Sequence, residues 1–514
     1  MWTCFLGRLK FTTANKYMKW ANFLHLYQPV DQQADILEAI IAQSYRPILT
    51  NLLQAPSVKV TLNINGALLE LFDKHGHRDL IDILRQLGES GRAEFTSSAK
   101  YHAFLPFMEA DDIIRQVKIN NESNTFFLGQ AYRPRGFFPP EMAYQTNLAP
   151  IIESLGFDWL ILDEIALTGE PGQVDYTKIY QVKNSKIKVF FRERRLSNLI
   201  MSAVVRSPAT LREAMKDDLT SSRYVVTAMD GETFGHHRPG LEKLLADVLT
   251  TTDFDLVTIS ELLDHYPDTA EADPVPSTWA SSKEDIDRGV QFLSWRDPEN
   301  EIHAWQWELF ELVRGQVRAY DQSCPDWPEI QHRMDVATAS DHFWWASAKP
   351  WWSLEMIEDG AYRLLDAIRH IPEADPAAVK HAGELYEKII STAFTWQRTG
   401  RIRRMMSEQG SILRIPFKDR TIGKGGAEAG VYDAFMTMMK RLEQEATEKR
   451  EYEKAILWRD AMYKMENKLD IYDTINAIDL LRVEIPNEEV EKTIEEYKDK
   501  YRAIRGGQPE QRGS

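Results

Sequence analysis

Between residues 20 and 265 the chain alternates short β-rich runs with longer amphipathic stretches, and this alternation limits the possible fold more than any other feature. The β-rich runs fall at 21–27, 58–64, 92–98, 135–141, 157–163, 187–193, 223–229 and 254–260. Helical patterns such as ADILEAIIAQSYRPILTNLL and GALLELFDKHGHRDLIDILRQLGESG lie between several of them. Parallel strands need a crossover connection, and a helix supplies it, so this order specifies a parallel sheet. Seven or eight such units predict an α/β barrel. An open doubly wound sheet is the alternative, but no glycine-rich phosphate loop follows any of the runs.

Beyond the alternating region the pattern changes. The polar stretch 268–285 (DTAEADPVPSTWASSKED) reads as a linker or exposed crossover. Helical periodicity follows in NEIHAWQWELFELVRGQVRAY, SLEMIEDGAYRLLDAIRHI and PAAVKHAGELYEKIISTAF, which predicts an all-α region. Residues 400–430 are basic and glycine-rich and read as irregular; charged helices then run from about 431 to 505 before a polar tail, GGQPEQRGS. The expected division is an N-terminal extension at 1–19, a barrel at 20–267, a helical region at 268–430 that contributes to the active site, and a charged helical tail at 431–514. Met18 directly precedes the first strand-like segment, so residues 1–17 are expected to lack a structural role.

Composition narrows the function classes. A net charge of −16 disfavours nucleic-acid and anionic-membrane binding, which require basic surface. No run approaches the ~20 apolar residues of a membrane helix. Cys4 and Cys324 are the only cysteines, so a disulfide framework is excluded and a reducing, cytoplasmic location is expected. The 14 Trp, 19 Tyr and 22 Phe supply core area and also flat faces on which sugar rings stack.

In a parallel barrel the reactive groups gather at strand ends. His25 and Gln28 close the first run; Glu94 lies in the third, with His102 after it; Glu141 ends the fourth; Asp230, followed by Glu232, His236 and His237, ends the seventh. Two carboxylates on one face suit acetal cleavage, in which one attacks the anomeric carbon and the other protonates the leaving oxygen. Pro139 and Pro140 restrict the backbone before Glu141, and Gly231 permits a tight turn after Asp230. A zinc site built from His25, Asp230, His236 and His237 is the competing chemistry. Adjacent histidines in an extended segment point to opposite sides, and no HxxxH or paired CxxC is present, so no metal or cofactor is expected.

Taken together, these segments resemble glycoside hydrolase family 57. The resemblance rests on five motifs in order over about residues 20–350: His25-Leu26-Tyr27-Gln28-Pro29, Gly91-Arg92-Ala93-Glu94, Gly136-Phe137-Phe138-Pro139-Pro140-Glu141, Asp230-Gly231-Glu232-Thr233-Phe234-Gly235-His236-His237, and Ser340-Asp341-His342-Phe343-Trp344-Trp345. FRERRLS at 191–197 is similar to a further family segment. Tyr27, Phe138 and His237 stand where the family pattern has His, Trp and Trp. The resemblance implies an incomplete (β/α)7 barrel followed by a helical domain, and retaining chemistry on α-glucans as amylase, 4-α-glucanotransferase or branching enzyme. Glu141 would be the nucleophile and Asp230 the general acid/base. His25, Gln28, Glu94, His102, Phe138, His237, Asp341 and Trp344 would contact substrate. The three substitutions motivate an alternative, a non-catalytic or regulatory glucan-binding protein. Metal-dependent deacetylation on a related barrel is a third possibility.

A second resemblance covers residues 445–469, which are similar to the UVR motif, a helical hairpin, through Tyr452-Glu453, Ala455 and Arg459-Asp460. An ordinary hairpin packed through Ala446, Ala455, Met462 and Met465 is the plainer expectation. Either version allows a protein partner or self-association through residues 440–470.

Overall fold

Seven parallel strands build the frame of the site: β1 (Lys19–Leu26), β2 (Val60–Ile64), β3 (Ala93–Ser97), β4 (Gly136–Phe137), β5 (Trp159–Asp163), β7 (Lys188–Arg192) and β8 (Tyr224–Asp230). They belong to a computed structural model that describes residues 18–203, 205–250, 254–349, 351–409, 431–467 and 471–504. β1 sits between β2 and β8, and the sheet runs on from β2 through β3, β4 and β5 to β7. No ladder joins β7 to β8 among the described residues. The seam is bridged by the Glu193 N–H donating to Val226 O at 2.8 Å and by Arg192 Nε donating to Ala228 O at 2.7 Å. The result is an incomplete (β/α)7 barrel followed by helices.

The strand run expected at 135–141 shrinks to Gly136–Phe137 because Pro139 and Pro140 have no N–H to offer a ladder. The run at 254–260 also splits: β9 is only Asp255–Val257, and Thr258 then caps the helix Ile259–His265 with a reciprocal Thr258–Glu261 box. Two strands lie outside the expected set. β6 (Ile179–Val182) pairs antiparallel with β7, and β10 (Thr269–Ala272) adds parallel to β6. The stretch 268–285 is therefore not a free linker. It contributes a sheet strand and then bridges back at Tyr144–Ser277.

The helices Glu301–Ala319, Trp327–Ala337, Leu354–Arg369 and Pro376–Thr399 follow. Side chains cap three of them, Asn300, Ser353 and Asp375 each accepting a first-turn N–H. Their buried faces (Trp307, Phe310, Leu364, Leu385, Trp396) share one continuous apolar core with barrel residues Phe23, Phe137, Trp159, Phe190 and Tyr224. A second cluster lies between β1–β3 and the helices outside them, through Leu24, Leu62, Phe72 and Leu84. Residues Arg401–Gln409 are helical, against the expectation of irregular chain; 410–430, like 1–17 and the tail beyond 504, lie outside the described residues.

Four helices, Val431–Glu448, Tyr452–Asn467, Ile471–Glu484 and Asn487–Ile504, form a C-terminal unit with its own core of Phe435, Met439, Trp458, Met465, Leu481 and Val490. The expected hairpin turns at 449–451, where Arg450 has φ +62°. Ala446, Met462 and Met465 are buried there, and Ala455 is half-buried. Among the described residues no helix is long and apolar enough to cross a membrane.

Candidate active site

Register places the chemistry at one end of the barrel. His25, one residue before the end of β1, pairs with Asp230, the last residue of β8, and on its other side with Asn63 of β2. The His25 ring lies 4.6 Å from Phe138 and 6.5 Å from Trp279, and the Trp279 indole N–H donates to Glu141 Oε2 at 2.7 Å. His25 thus stands between the Asp230 strand end and the Glu141 turn. Glu141 has φ +62° and ψ +15°, and Met142 follows with φ +49°. Non-glycine residues rarely hold this left-handed conformation, and such strain persists where surrounding structure fixes it, commonly at functional sites. Here the Trp279 N–H donates to the Glu141 carbonyl at 3.2 Å, so both ends of Trp279 hold the strained residue.

Histidine and tyrosine rings form a stack beside Glu141. The Tyr27 ring lies 4.3 Å from His102, and His102 lies 5.2 Å from His25. Ser340 Oγ donates to His102 O at 2.6 Å and lies 3.3 Å from His102 Nδ1, which assigns the imidazole proton to Nδ1. His102 Nε2 has no hydrogen-bond partner and lies 3.8 Å from Glu141 Oε1, an acceptor at the edge of the cleft. His25 Nδ1 lies 2.7 Å from Asn63 Oδ1, whose amide nitrogen is taken up by Thr96, so His25 likewise keeps Nε2 as its acceptor. Burial holds both imidazoles neutral: it lowers His25 to about 4 and His102 well below the ordinary histidine value.

The helical region reaches this face at two points. Tyr27 Oη donates to Asp341 Oδ2 at 2.8 Å, and Arg363 pairs with Asp31, in the loop after β1, and with Asp359 at 2.7 Å. Tyr27, which stands where the family pattern has histidine, therefore ties the two regions together.

The carboxyl groups are electrostatically crowded. Burial first, and the Asp230 charge second, raise Glu141 to about 8, while the Trp279 hydrogen bond pulls it down. Burial raises Asp230 to about 6 against the Arg192 guanidinium. Glu232, held by Tyr45 Oη and by Gln28 Nε2 at 2.9 Å, is raised to about 8 by burial and then by Asp230. Asp341 is raised to about 6 by burial. Burial and neighbouring charge thus raise Glu141 and Glu232 furthest and Asp230 and Asp341 less, so this group of carboxyls resists ionising together near neutrality.

Several expected contact residues sit elsewhere. Glu94 is the second residue of β3, at the opposite end of the strand from Ser97, and its carboxylate accepts from the Ser260 N–H at 3.1 Å and the Thr61 hydroxyl at 3.2 Å. It anchors the helix Ile259–His265 instead of facing the cleft. Phe138 is fully buried beneath His25, with Phe23 5.2 Å away, so its ring offers no face to a ligand. Gln28 is buried and spent on Glu232 and Tyr45. His237 is exposed, at the outer end of the turn after Asp230, and its backbone N–H donates to Glu232 O at 2.7 Å. Trp344 is half-buried and stacked 4.8 Å from Trp351. His236 Nδ1 lies 2.8 Å from Gln43 Oε1, and among the described residues no cluster of His, Cys, Asp and Glu is placed to hold a metal ion.

Sequence reasoning noted Glu232 after Asp230 but gave it no role, and it missed Trp279 and a buried triad behind them. Asp163, at the end of β5, accepts from Arg192 Nη1 at 2.9 Å and pairs with Arg194 Nε at 2.7 Å. Arg192 is the cation that acts on Asp230. Arg194 Nη2 donates to Trp279 O at 2.9 Å and Ser281 O at 2.8 Å. One buried carboxylate thus braces the Asp230 side through one arginine and the Glu141 side through the other. The FRERR segment carried the available signal: two arginines at the end of an apolar strand require a buried anion.

The sequence profile of glycosyl hydrolase family 57 matches residues 8–273. An α-amylase from Pyrococcus horikoshii is 25% identical over 225 residues, covering 43% of this chain and 35% of that protein. A 4-α-glucanotransferase from Thermococcus kodakarensis is 27% identical over 224 residues, covering 42% of this chain and 34% of that protein. The chain thus spans about a third of the length of the curated relatives it matches. The crystal structure of a branching enzyme of the same family type from Pyrococcus horikoshii superposes with a TM-score of 0.55 at 16% identity, over 73% of this chain and 96% of that one, a likeness of fold.

Proposed function

Because the chain belongs to glycosyl hydrolase family 57, we propose that it cleaves or transfers α-glucosidic bonds of α-glucans by a retaining double displacement, with Glu141 as nucleophile and Asp230 as general acid/base. The observation that carries this reading is the gathering of these two carboxyls at one barrel end, Asp230 beside His25 on the neighbouring strand and Glu141 held by the Trp279 indole that lies against the same His25 ring. In the first step Glu141 attacks the anomeric carbon while Asp230 protonates the departing oxygen; in the second, Asp230 deprotonates water or an acceptor hydroxyl. Reaction proceeds from the form with Glu141 ionised and Asp230 protonated. Positive charge developing at the anomeric carbon favours the Glu141 anion, and the leaving oxygen accepts from Asp230. His25 Nε2 and His102 Nε2 accept from sugar hydroxyls, and Asp341, fixed by Tyr27, does the same from the helical side. Water and sugar acceptors use the same machinery, so hydrolase and transferase are both within its chemistry.

The test is incubation with maltoheptaose and related α-linked oligosaccharides. Shorter products alone identify an amylase, a longer ladder a glucanotransferase, and branched products a branching enzyme. Glu141→Gln and Asp230→Asn each abolish turnover with the fold intact, and azide rescue of Glu141→Ala yields a glycosyl azide. Full activity in either first variant sinks the assignment. Binding to glycogen without any product from the wild-type protein supports the non-catalytic alternative.

The C-terminal unit has a role of its own in this proposal. Tyr452, Ile456 and Leu457 stand exposed on the outer face of the hairpin, which suits a protein partner or a second copy of the chain. Sedimentation across a concentration series tests self-association, and a monomer throughout removes it.

A further inference from the structure

The four-helix C-terminal unit lies beyond the residues matched by the family profile, which end at 273, yet it touches the loop that carries the acid/base motif. Asp479, in the helix Ile471–Glu484, is 3% exposed, and its two oxygens take two different arginines of the barrel. Oδ1 accepts from Arg206 Nη2, and Oδ2 accepts from Arg238 Nη1 at 3.5 Å. Arg238 directly follows His237, and its Nε donates to Met201 O at 2.9 Å. Arg206 donates from Nε to Ala203 O at 3.1 Å and from Nη1 to Pro239 O at 3.3 Å. Glu242 also acts on the Arg206 charge, and Arg482 opposes it. A Cβ placed on Gly240 would lie 3.8 Å from Val483 Cγ2, so the loop and the helix Ile471–Glu484 run close together here.

The inner side of the same loop is fixed tightly. Gly235 has φ +112°, and a Cβ there would come within 1.9 Å of Gln43 O, so only glycine fits. The His237 N–H closes the turn on Glu232 O at 2.7 Å, and Glu232 is the residue after Gly231 that faces Asp230 electrostatically. Removing a buried anion that pairs with two arginines takes a charged acceptor from each, and the chain around them must then readjust. Arg238 lies in the outer half of that turn, and Arg206 reaches it through Pro239 O.

We propose that Asp479 is a positioning residue for the acid/base turn: through Arg206 and Arg238 the C-terminal unit holds residues 231–240 from outside and so fixes how Asp230 and Glu232 are presented. The inference rests on Asp230 being the acid/base, and it assigns a catalytic purpose to a unit that sits outside the barrel. The pair is intramolecular, so anything that pries the unit away acts on turnover without entering the cleft.

The experiment uses the full chain carrying Asp479→Asn, with Asp479→Glu as the conservative partner. Hydrogen exchange of the amides in 231–240 is read by mass spectrometry, alongside kcat and KM on maltoheptaose. In Asp479→Asn, exchange in 231–240 rises at least about ten-fold while β1, β2 and β5 keep their protection; kcat falls about ten-fold with KM nearly unchanged, and Asp479→Glu restores part of both. Unchanged exchange in the loop overturns the proposal, and so does an increase spread equally over the barrel strands, which marks a merely structural contact. If Asp479→Asn does not fold, Arg238→Gln, which leaves the Arg206–Asp479 pair in place, carries the same expectation. A wild-type protein without turnover refutes the enzymatic reading, while the exchange comparison still decides whether Asp479 holds the loop.

Discussion

Replacing Trp279 with Phe isolates one interaction at Glu141, the proposed nucleophile. The ring remains to fill the space beside Phe138 and His25, whose centroids lie 6.0 Å and 6.5 Å from it, while the N–H that donates to Glu141 Oε2 at 2.7 Å is lost. A hydrogen bond to a charged group contributes about 1.5–3 kcal/mol, and one pH unit corresponds to about 1.4 kcal/mol. Losing the donor therefore lifts Glu141, already at about 8, further by about one to two pH units. The Glu141–Asp230 pair should give the wild-type protein a bell-shaped kcat/KM profile with limbs near 6 and 8, its singly protonated form being active. Within that form the productive arrangement has Glu141 ionised, and its share falls about ten-fold for each unit that Glu141 rises. Trp279→Phe should accordingly lower the maximum of kcat/KM by about ten- to hundred-fold and move the alkaline limb upward. The assay is the release of shorter oligosaccharides from maltoheptaose between about pH 5 and pH 10, with thermal melting as a control for fold. A variant within about two-fold of wild type at the maximum, with both limbs in place, would show that the indole does not support the nucleophile.

The same crowding predicts a stability gain from an inactive variant. Glu141 is raised from about 4.3 in the unfolded chain to about 8, so its contribution is full below about pH 4 and is lost as pH rises through 8. At pH 7 that loss is at most about 4 kcal/mol, and Glu141→Gln, which cannot ionise, should melt above wild type near neutrality and converge with it near pH 4; an equal difference at both pH values refutes the reasoning. Asp163→Asn should strip Arg192 and Arg194 of their buried anion, destabilise the protein by about 3–5 kcal/mol in urea unfolding and depress turnover, whereas wild-type stability would show the triad to be incidental. Tyr27→Phe should cost about 1–3 kcal/mol, because it leaves the Asp341 carboxylate without its donor, and should weaken substrate binding; calorimetry and KM check the two parts separately.

The barrel was legible because its information is local. Parallel strands joined by helices announce themselves through hydrophobic period, and the runs at β1, β2, β3, β5, β7 and β8 each fall within a residue or two of the strand found. Asp230 was legible for the same reason, as the last residue of an apolar run. Glu141 was legible through the two prolines before it, although those prolines also cut the strand to Gly136–Phe137. β6 and β10 escaped because each is a four-residue run without a full alternating pattern of its own, and β10 finds its partner, β6, about 90 residues away.

The sequence by itself determined the fold class and put the two carboxyls at strand ends, because side-chain period and backbone chemistry are set by neighbouring residues. Only the tertiary structure decided which polar groups meet. It brought Trp279 to Glu141 across 138 positions and Asp479 to Arg206 across 273. It set Asp163 between two arginines, and it turned Glu94 and Phe138 away from the cleft. Hydrogen bonds and buried ion pairs act over a few ångströms of space, and separation along the chain carries no record of that distance.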